Sequence, residues 1–283
     1  MDDSHCYTNT QKRRQKYPDN YRSISLLNIG YKIYSKIIAK RLTAIAKVLL
    51  LEEQNGFRKG RSCMDYIFSA SQIIEKHREF NIPTYIAFID FKKAFDSVDR
   101  DKLCTIMLSK GIPTHLITII EKIYMENIIR VNAGNGISED SRAITQGVRQ
   151  GCPLSPVLFN LYLDEVIRIW LQELKTSKYF KELILNTLLF ADDQFIISDT
   201  EDNLQKAVYL LYYIAKEYNL EIATKKTKAF GFIGTDHLRT KITQKNDYFY
   251  TANYGLQAYQ TRQKNTDGTG FHTCKECHKT ESL

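Results

Sequence analysis

Apolar positions along the chain fall into helical and strand-like periods, and their order predicts the elements. From Tyr21 to Leu51 they recur at three- and four-residue spacing through YKIYSKIIAKRLTAIAKVLL, with lysines between, which predicts an amphipathic helix. The polar, glycine-punctuated EEQNGFRKGRS reads as a loop, and MDYIFSASQIIEKHREF as a second amphipathic helix. Pro83 closes that region, and TYIAFIDF has the nearly all-apolar look of a strand buried on both faces. Ser97 or Asp99 is placed to cap a helix through LCTIMLSK, and another helix is expected from about Thr114 to Asn127. IIRVNAGNG and SRAITQGVRQG suggest a hairpin, after which Pro156 opens a long apolar helix. A helix near Asn203 to Tyr218 and a strand from Lys228 to Ile233 complete the patterned part. Helices come first, then strands and helices mixed with hairpins, which argues α+β and not a doubly wound parallel sheet.

One strand breaks its own pattern. LLFADDQFII sets Asp192 and Asp193 side by side within a run of strand formers, where each acid loses solvation and repels the other. A polar hairpin tip would explain the pair, and so would a divalent cation that collects their charge. IAFIDF ends in a third acid, Asp90, so three carboxylates stand on two strand ends. Two divalent ions about 3.5 to 4 Å apart need such a cage of hard oxygens and catalyse in-line phosphoryl transfer.

Composition narrows the surroundings. A formal charge of +8 suits a polyanionic partner. Of six cysteines, four are scattered singly, which speaks against a disulfide framework and for a reducing compartment, nuclear or cytoplasmic. No apolar run approaches the ~20 residues of a membrane span, and no secretory signal core follows Met1, so no membrane partner is expected. The KRRQK cluster fits a nuclear-import or phosphate-contacting patch as well as a solvated tail. Cys274, Cys277 and His278 make half a zinc site.

FIDFKKAFDSVDR, QGVRQGCPLSPVLFNLYLDEV and LLFADDQFIIS, in that order, resemble three core motifs of reverse transcriptases. NYRSISLLNIGYKIYSKIIAKRL and EEQNGFRKGRSCMDYI are similar to the fingers segments of non-LTR (LINE-type) retrotransposon enzymes, and ATKKTKAFGFIG to the lysine-bearing segment that follows the paired aspartates. The resemblance covers about residues 20 to 234. It implies an RNA-directed DNA polymerase, a nucleotidyltransferase extending a DNA primer on an RNA template from dNTPs. Two Mg2+ ions are implied, with Mn2+ as a substitute. Asp90 and Asp192 would be the main metal ligands, Asp193 the third, and the Phe91 carbonyl a further one. Phe95 matches the aromatic that closes against the sugar 2′ position, and Gln150 and Gly151 match the segment under the incoming nucleotide. Arg58, Lys59 and Arg61 suit triphosphate and template contacts. Lys226 could protonate pyrophosphate, or belong to a solvated basic turn with Lys225 and Lys228. Ala223 stands where the family has a small polar residue.

The resemblance also implies a right-hand polymerase fold, with a small antiparallel palm sheet backed by helices and helical fingers. The expected organisation is a flexible basic lead-in over 1–20, fingers over 21–83, palm over 84–110, a connection with a hairpin over 111–149, palm again over 150–234, and a weakly structured segment over 235–283. No thumb pattern follows residue 234 and no endonuclease precedes the fingers, so those parts of a mobile-element polyprotein are expected elsewhere. A catalytically inactive nucleic-acid-binding remnant is the rival expectation: the three acids speak against it, the missing thumb for it.

Overall fold

Side chains that cap free backbone N–H groups decide where the helices begin, and they reset one expected boundary. The computed structural model describes residues 4–10, 21–125, 128–132, 142–143, 146–176, 185–232, 243–244 and 247–248. The stretch from Tyr21 divides into a strand, β2 (Tyr21–Leu26), and a helix, α1 (Ile29–Leu49). The division falls at Asn28, whose Oδ1 accepts from the Tyr31 N–H at 2.7 Å. A helical period read across the whole window hides the six residues of YRSISL ahead of that cap.

Ser4–Thr10, in the expected lead-in, forms β1. It pairs antiparallel with β2 and parallel with β4 (Ile128–Asn132), and β4 pairs with β5 (Arg142–Ala143) as the expected hairpin. Ladder bonds use main-chain groups that every residue carries, so a polar segment joins without an apolar pattern. The KRRQK cluster lies outside the described residues. So does most of 235–283, apart from the paired β9 (Thr243–Gln244) and β10 (Asp247–Tyr248).

The remaining elements follow the sequence closely. α2 (Cys63–Glu79) starts at a capping box of Ser62 and Asp65. Asp99, and not Ser97, caps α3 (Arg100–Ser109), accepting from the Asp101 and Lys102 N–H groups at 3.1 Å each. α4 (Thr114–Met125), α5 (Ser155–Thr176) and α6 (Glu201–Glu217) complete the α-helices among the described residues. β3 (Thr84–Ile89), β6 (Leu185–Phe190), β7 (Asp193–Ser198) and β8 (Lys228–Phe232) form one antiparallel sheet in the order β6-β7-β3-β8.

Alternation along these strands sends side chains to two layers. Ala87, Ile89 and Ile196 join the main core with α3, α5 and α6, where Trp170 is fully buried and donates its indole N–H to the Ala207 carbonyl at 2.8 Å. Ile86, Phe195 and Ile197 face the other way, against Tyr66, Ala70, Ile73 and Ile74 of α2. β3 is thus covered on both faces except at Phe88, which is exposed.

A buried charge cluster ties the layers together behind the sheet. The Asp164 carboxylate on α5 accepts from Lys110 Nζ at 2.8 Å, Arg168 Nε at 2.7 Å and the Leu51 N–H at 2.6 Å. Its side chain is 2% exposed, so removing it strands the Leu51 amide and leaves the buried Lys110 with Glu165 alone. Asp164→Ala is expected to cost about 3–5 kcal/mol, read as a lower urea midpoint at unchanged slope.

Candidate active site

The acids meet because two strands end together. β3 and β7 are antiparallel with Ile89 opposite Gln194, so the next step of the register sets Asp90 opposite Asp193. Across the β6–β7 hairpin Phe190 pairs with Asp193, which leaves Ala191 and Asp192 as a two-residue loop. Such loops need positive φ at their first position, and Ala191 has φ 57. A non-glycine residue held there costs on the order of 1–3 kcal/mol, which the surroundings must offset. The expected tight turn between two short strands is therefore present, with Asp192 half-exposed in the loop and Asp193 exposed.

The EEQNGF loop supplies the surroundings. Residues 53–55 run beside β6: the Leu189 N–H donates to the Glu53 carbonyl at 2.9 Å, and the Asn55 N–H to the Leu189 carbonyl at 2.8 Å. Gln54, 3% exposed, turns its amide onto Ala191. Its Oε1 accepts from the Ala191 N–H at 3.0 Å and the Gly56 N–H at 2.8 Å, and its Nε2 donates to the Ala191 carbonyl at 3.3 Å. Gly56 is pressed so closely to the turn that a Cβ would lie 2.7 Å from Ala191 Cα. Asn160 of α5 closes the arrangement by donating to the Gly56 carbonyl at 2.9 Å. Neither Gln54 nor Asn160 stands out in sequence, because the contact of Gln54 with Ala191 and that of Asn160 with Gly56 each span more than a hundred residues.

The basic residues of this loop divide by task. Arg58 donates to the Leu51 carbonyl at 2.7 Å and the Gln54 carbonyl at 3.2 Å, and its side chain is 12% exposed. Expected to meet phosphate, it is instead built into the loop; five N–H groups on a planar fork suit several carbonyls at once. Arg61 pairs with Glu52, and Lys59 is exposed.

Phe95 stands beyond β3, its ring stacked on Phe159 with centroids 4.6 Å apart and met edge-on by Phe57 at 6.0 Å. The QGVRQG segment docks against it, with the Val148 N–H donating to the Phe95 carbonyl at 2.8 Å. Gly147 (φ 82) packs on the Asp96 backbone, where a Cβ would fall 2.8 Å from the Asp96 carbonyl oxygen. Gln150 follows; its carbonyl accepts from the Ser25 N–H of β2 at 2.9 Å, and Gly151 sits under the same strand. Arg149, just before Gln150, lies over the Tyr31 ring at 4.7 Å.

Lys226 reaches Asp90. The Lys226 N–H donates to the Ala223 carbonyl at 2.9 Å and the Ala223 N–H to the Asp90 carbonyl at 2.7 Å, so Ala223 keeps the turn closed through its backbone alone. Lys226 Nζ donates to Asp90 Oδ2 at 2.8 Å and Oδ1 at 3.1 Å. Phe91 is buried beside Ile222 and adds a short bridge between these segments.

The strand ends bring the three acids to one edge, but their side chains do not converge as expected. Among the described residues no three His, Cys, Asp or Glu side chains gather closely enough to hold an ion. Like charges repel, and Asp90 has taken the neighbouring ammonium of Lys226. Asp193 acts toward α2: burial first, then the Asp193 charge, pushes the Tyr66 phenol above its ordinary range. The donor set, acids only and at one sheet edge, fits a hard divalent cation.

Paired acids at the ends of neighbouring antiparallel strands, helices behind the sheet and a basic loop in front define the palm and fingers of a polymerase. A family model described as reverse transcriptase (RNA-dependent DNA polymerase) matches residues 10–270, and the chain belongs to that family, whose members depend on divalent metal. It is 29% identical over 191 residues to the Pol polyprotein of the type-2 retrotransposable element R2DM of Drosophila melanogaster, covering 67% of this chain and 18% of that protein. It is 27% identical over 218 residues to the Pol polyprotein of the type-1 element R2 of Nasonia vitripennis, covering 76% and 21%. These relatives are non-LTR retrotransposon proteins, and the chain spans about a fifth of their length. Apo telomerase of Candida tropicalis shares the fold, with a TM-score of 0.61 at 13% identity over 84% of this chain and 51% of that one. No described helix is long and apolar enough to cross a membrane.

Proposed function

We propose that the chain carries the polymerase centre of a non-LTR retrotransposon reverse transcriptase, extending a DNA primer on an RNA template from dNTPs with two Mg2+ ions. The observation that carries this is the shared strand end, where Asp90 follows Ile89 opposite Gln194 and Asp193 follows the turn that holds Asp192. Asp90, Asp192 and Asp193, with the Phe91 carbonyl, would hold the metal. When bound, the ions would favour ionisation of the primer 3′-hydroxyl and neutralise the departing pyrophosphate.

The chain's own residues do the rest. Phe95, backed by Phe159, would close against the sugar at its 2′ position and leave no room for a hydroxyl there. Gln150 and Gly151 lie in the segment bonded to the Phe95 backbone and would run beneath the nucleotide. Lys59 would hold triphosphate or template, and so would Arg61 once it leaves Glu52. Lys226 Nζ, already at the Asp90 carboxylate, is the group that would give a proton to pyrophosphate as it leaves.

Poly(rA)/oligo(dT) with dTTP and Mg2+ tests the proposal. Extension that needs template, dTTP and Mg2+ together is expected; a folded chain that binds primer–template and never extends it is the inactive remnant. Binding itself should be electrostatic and indifferent to sequence, since the basic loop groups would meet phosphate. With +8 net charge, affinity is expected to fall roughly 10- to 1,000-fold between 50 and 200 mM salt, measured by fluorescence anisotropy.

A further inference from the structure

Gln54 has no role in the chemistry proposed above, yet its amide uses every bond it makes on two backbones. It meets both the N–H and the C=O of Ala191, as a neighbouring peptide strand would, and takes the Gly56 N–H with the same oxygen. Ala191 is the residue before Asp192 and is held at φ 57. A turn that strains a non-glycine residue relaxes unless its neighbours fix it, and here the fixing comes from a side chain 137 positions earlier. The backbone carbonyl of Gln54 in turn accepts from Arg58, which sets the loop carrying Lys59 and Arg61.

We infer that Gln54 is a positioning residue. Its amide holds the Ala191–Asp192 turn in its left-handed start and locks it to the basic loop, so that metal ligand and phosphate contacts keep one mutual register. This rests on the reading of Asp192 as a ligand, but its cause is independent: Gly56 leaves no space for a Cβ, Asn160 secures Gly56 from behind, and Gln54 occupies the gap.

The test is a cycle of two substitutions in the full chain. Gln54→Met keeps length and apolar bulk and loses all three amide bonds. It should lower kcat for dTTP addition about tenfold, the size expected for loosened alignment, with KM and primer–template affinity within about twofold. Ala191→Gly removes the strain that the amide opposes. In that background Gln54→Met should cost no more than about threefold, a coupling that a general packing defect would not produce. An equal loss in both backgrounds, or none in either, overturns the proposal. Amide exchange in the unaltered chain judges it even if Gln54→Met fails to fold or the chain extends no primer. The Ala191 N–H should exchange as slowly as the β6–β7 ladder, and exchange at the rate of an unprotected loop amide would also overturn it. Absence of extension by the unaltered chain would count against the polymerase reading alone.

Discussion

Asp192→Asn should abolish primer extension while leaving the grip on primer–template where it was. Asparagine matches the shape of aspartate, and Asp192 is half-exposed in a two-residue loop, so the fold should change by no more than about 0.5 kcal/mol. What is lost is charge at the place where it is needed. A ligand that contributes several kcal/mol of stabilisation in the transition state corresponds to about 1,000-fold in rate, since each 1.36 kcal/mol is tenfold. Asp192 is a cleaner test than Asp90, whose replacement would also release Lys226. Single-turnover extension alongside anisotropy separates the two effects. Residual activity within tenfold of the parent would remove Asp192 from the metal site.

Phe95→Val should change which sugar is used. The ring is flat against Phe159 and touched by Phe57, so it is held in one place, and on the proposed reading a 2′-hydroxyl would meet it there. Steric rejection discriminates strongly where attraction cannot, so opening the space should improve UTP relative to dTTP by about 100-fold. Truncating a stacked ring also costs stability, on the order of 1–3 kcal/mol. For that reason the readout is the ratio of kcat/KM for dTTP and UTP within each protein, in which a common loss cancels. A ratio that stays put makes Phe95 ordinary core.

The acids were legible in the sequence because local pattern carries them, whereas Phe95 rests on the family resemblance. A doubled acid inside a strand-forming run, and a third acid at the end of another, conflict with burial and so announce themselves. The helices α2 to α6 were similarly legible from apolar period and caps. Other features rest on distance, which no local window contains. Gln54 and Asn160 are ordinary polar residues until the fold places them against Ala191 and Gly56. Arg58 looked like a phosphate ligand beside two glycines, and only the path of the loop turns it inward onto carbonyls. β1 was missed because its pairing is main-chain, and β2 because a helical period ran over it. That Lys226 meets Asp90 could not be read locally, because the closed turn at Ala223 brings the two together across more than a hundred residues.

The most direct measurement of the central claim is single-nucleotide addition on a heteropolymeric RNA template. A DNA primer ending before each of the four template bases in turn is offered one dNTP at a time with Mg2+. If this sheet edge is a reverse transcriptase centre, only the complementary dNTP is added at each position, and Asp192→Asn adds none. Addition that ignores the template base, or that survives in Asp192→Asn at the parent rate, would contradict the account.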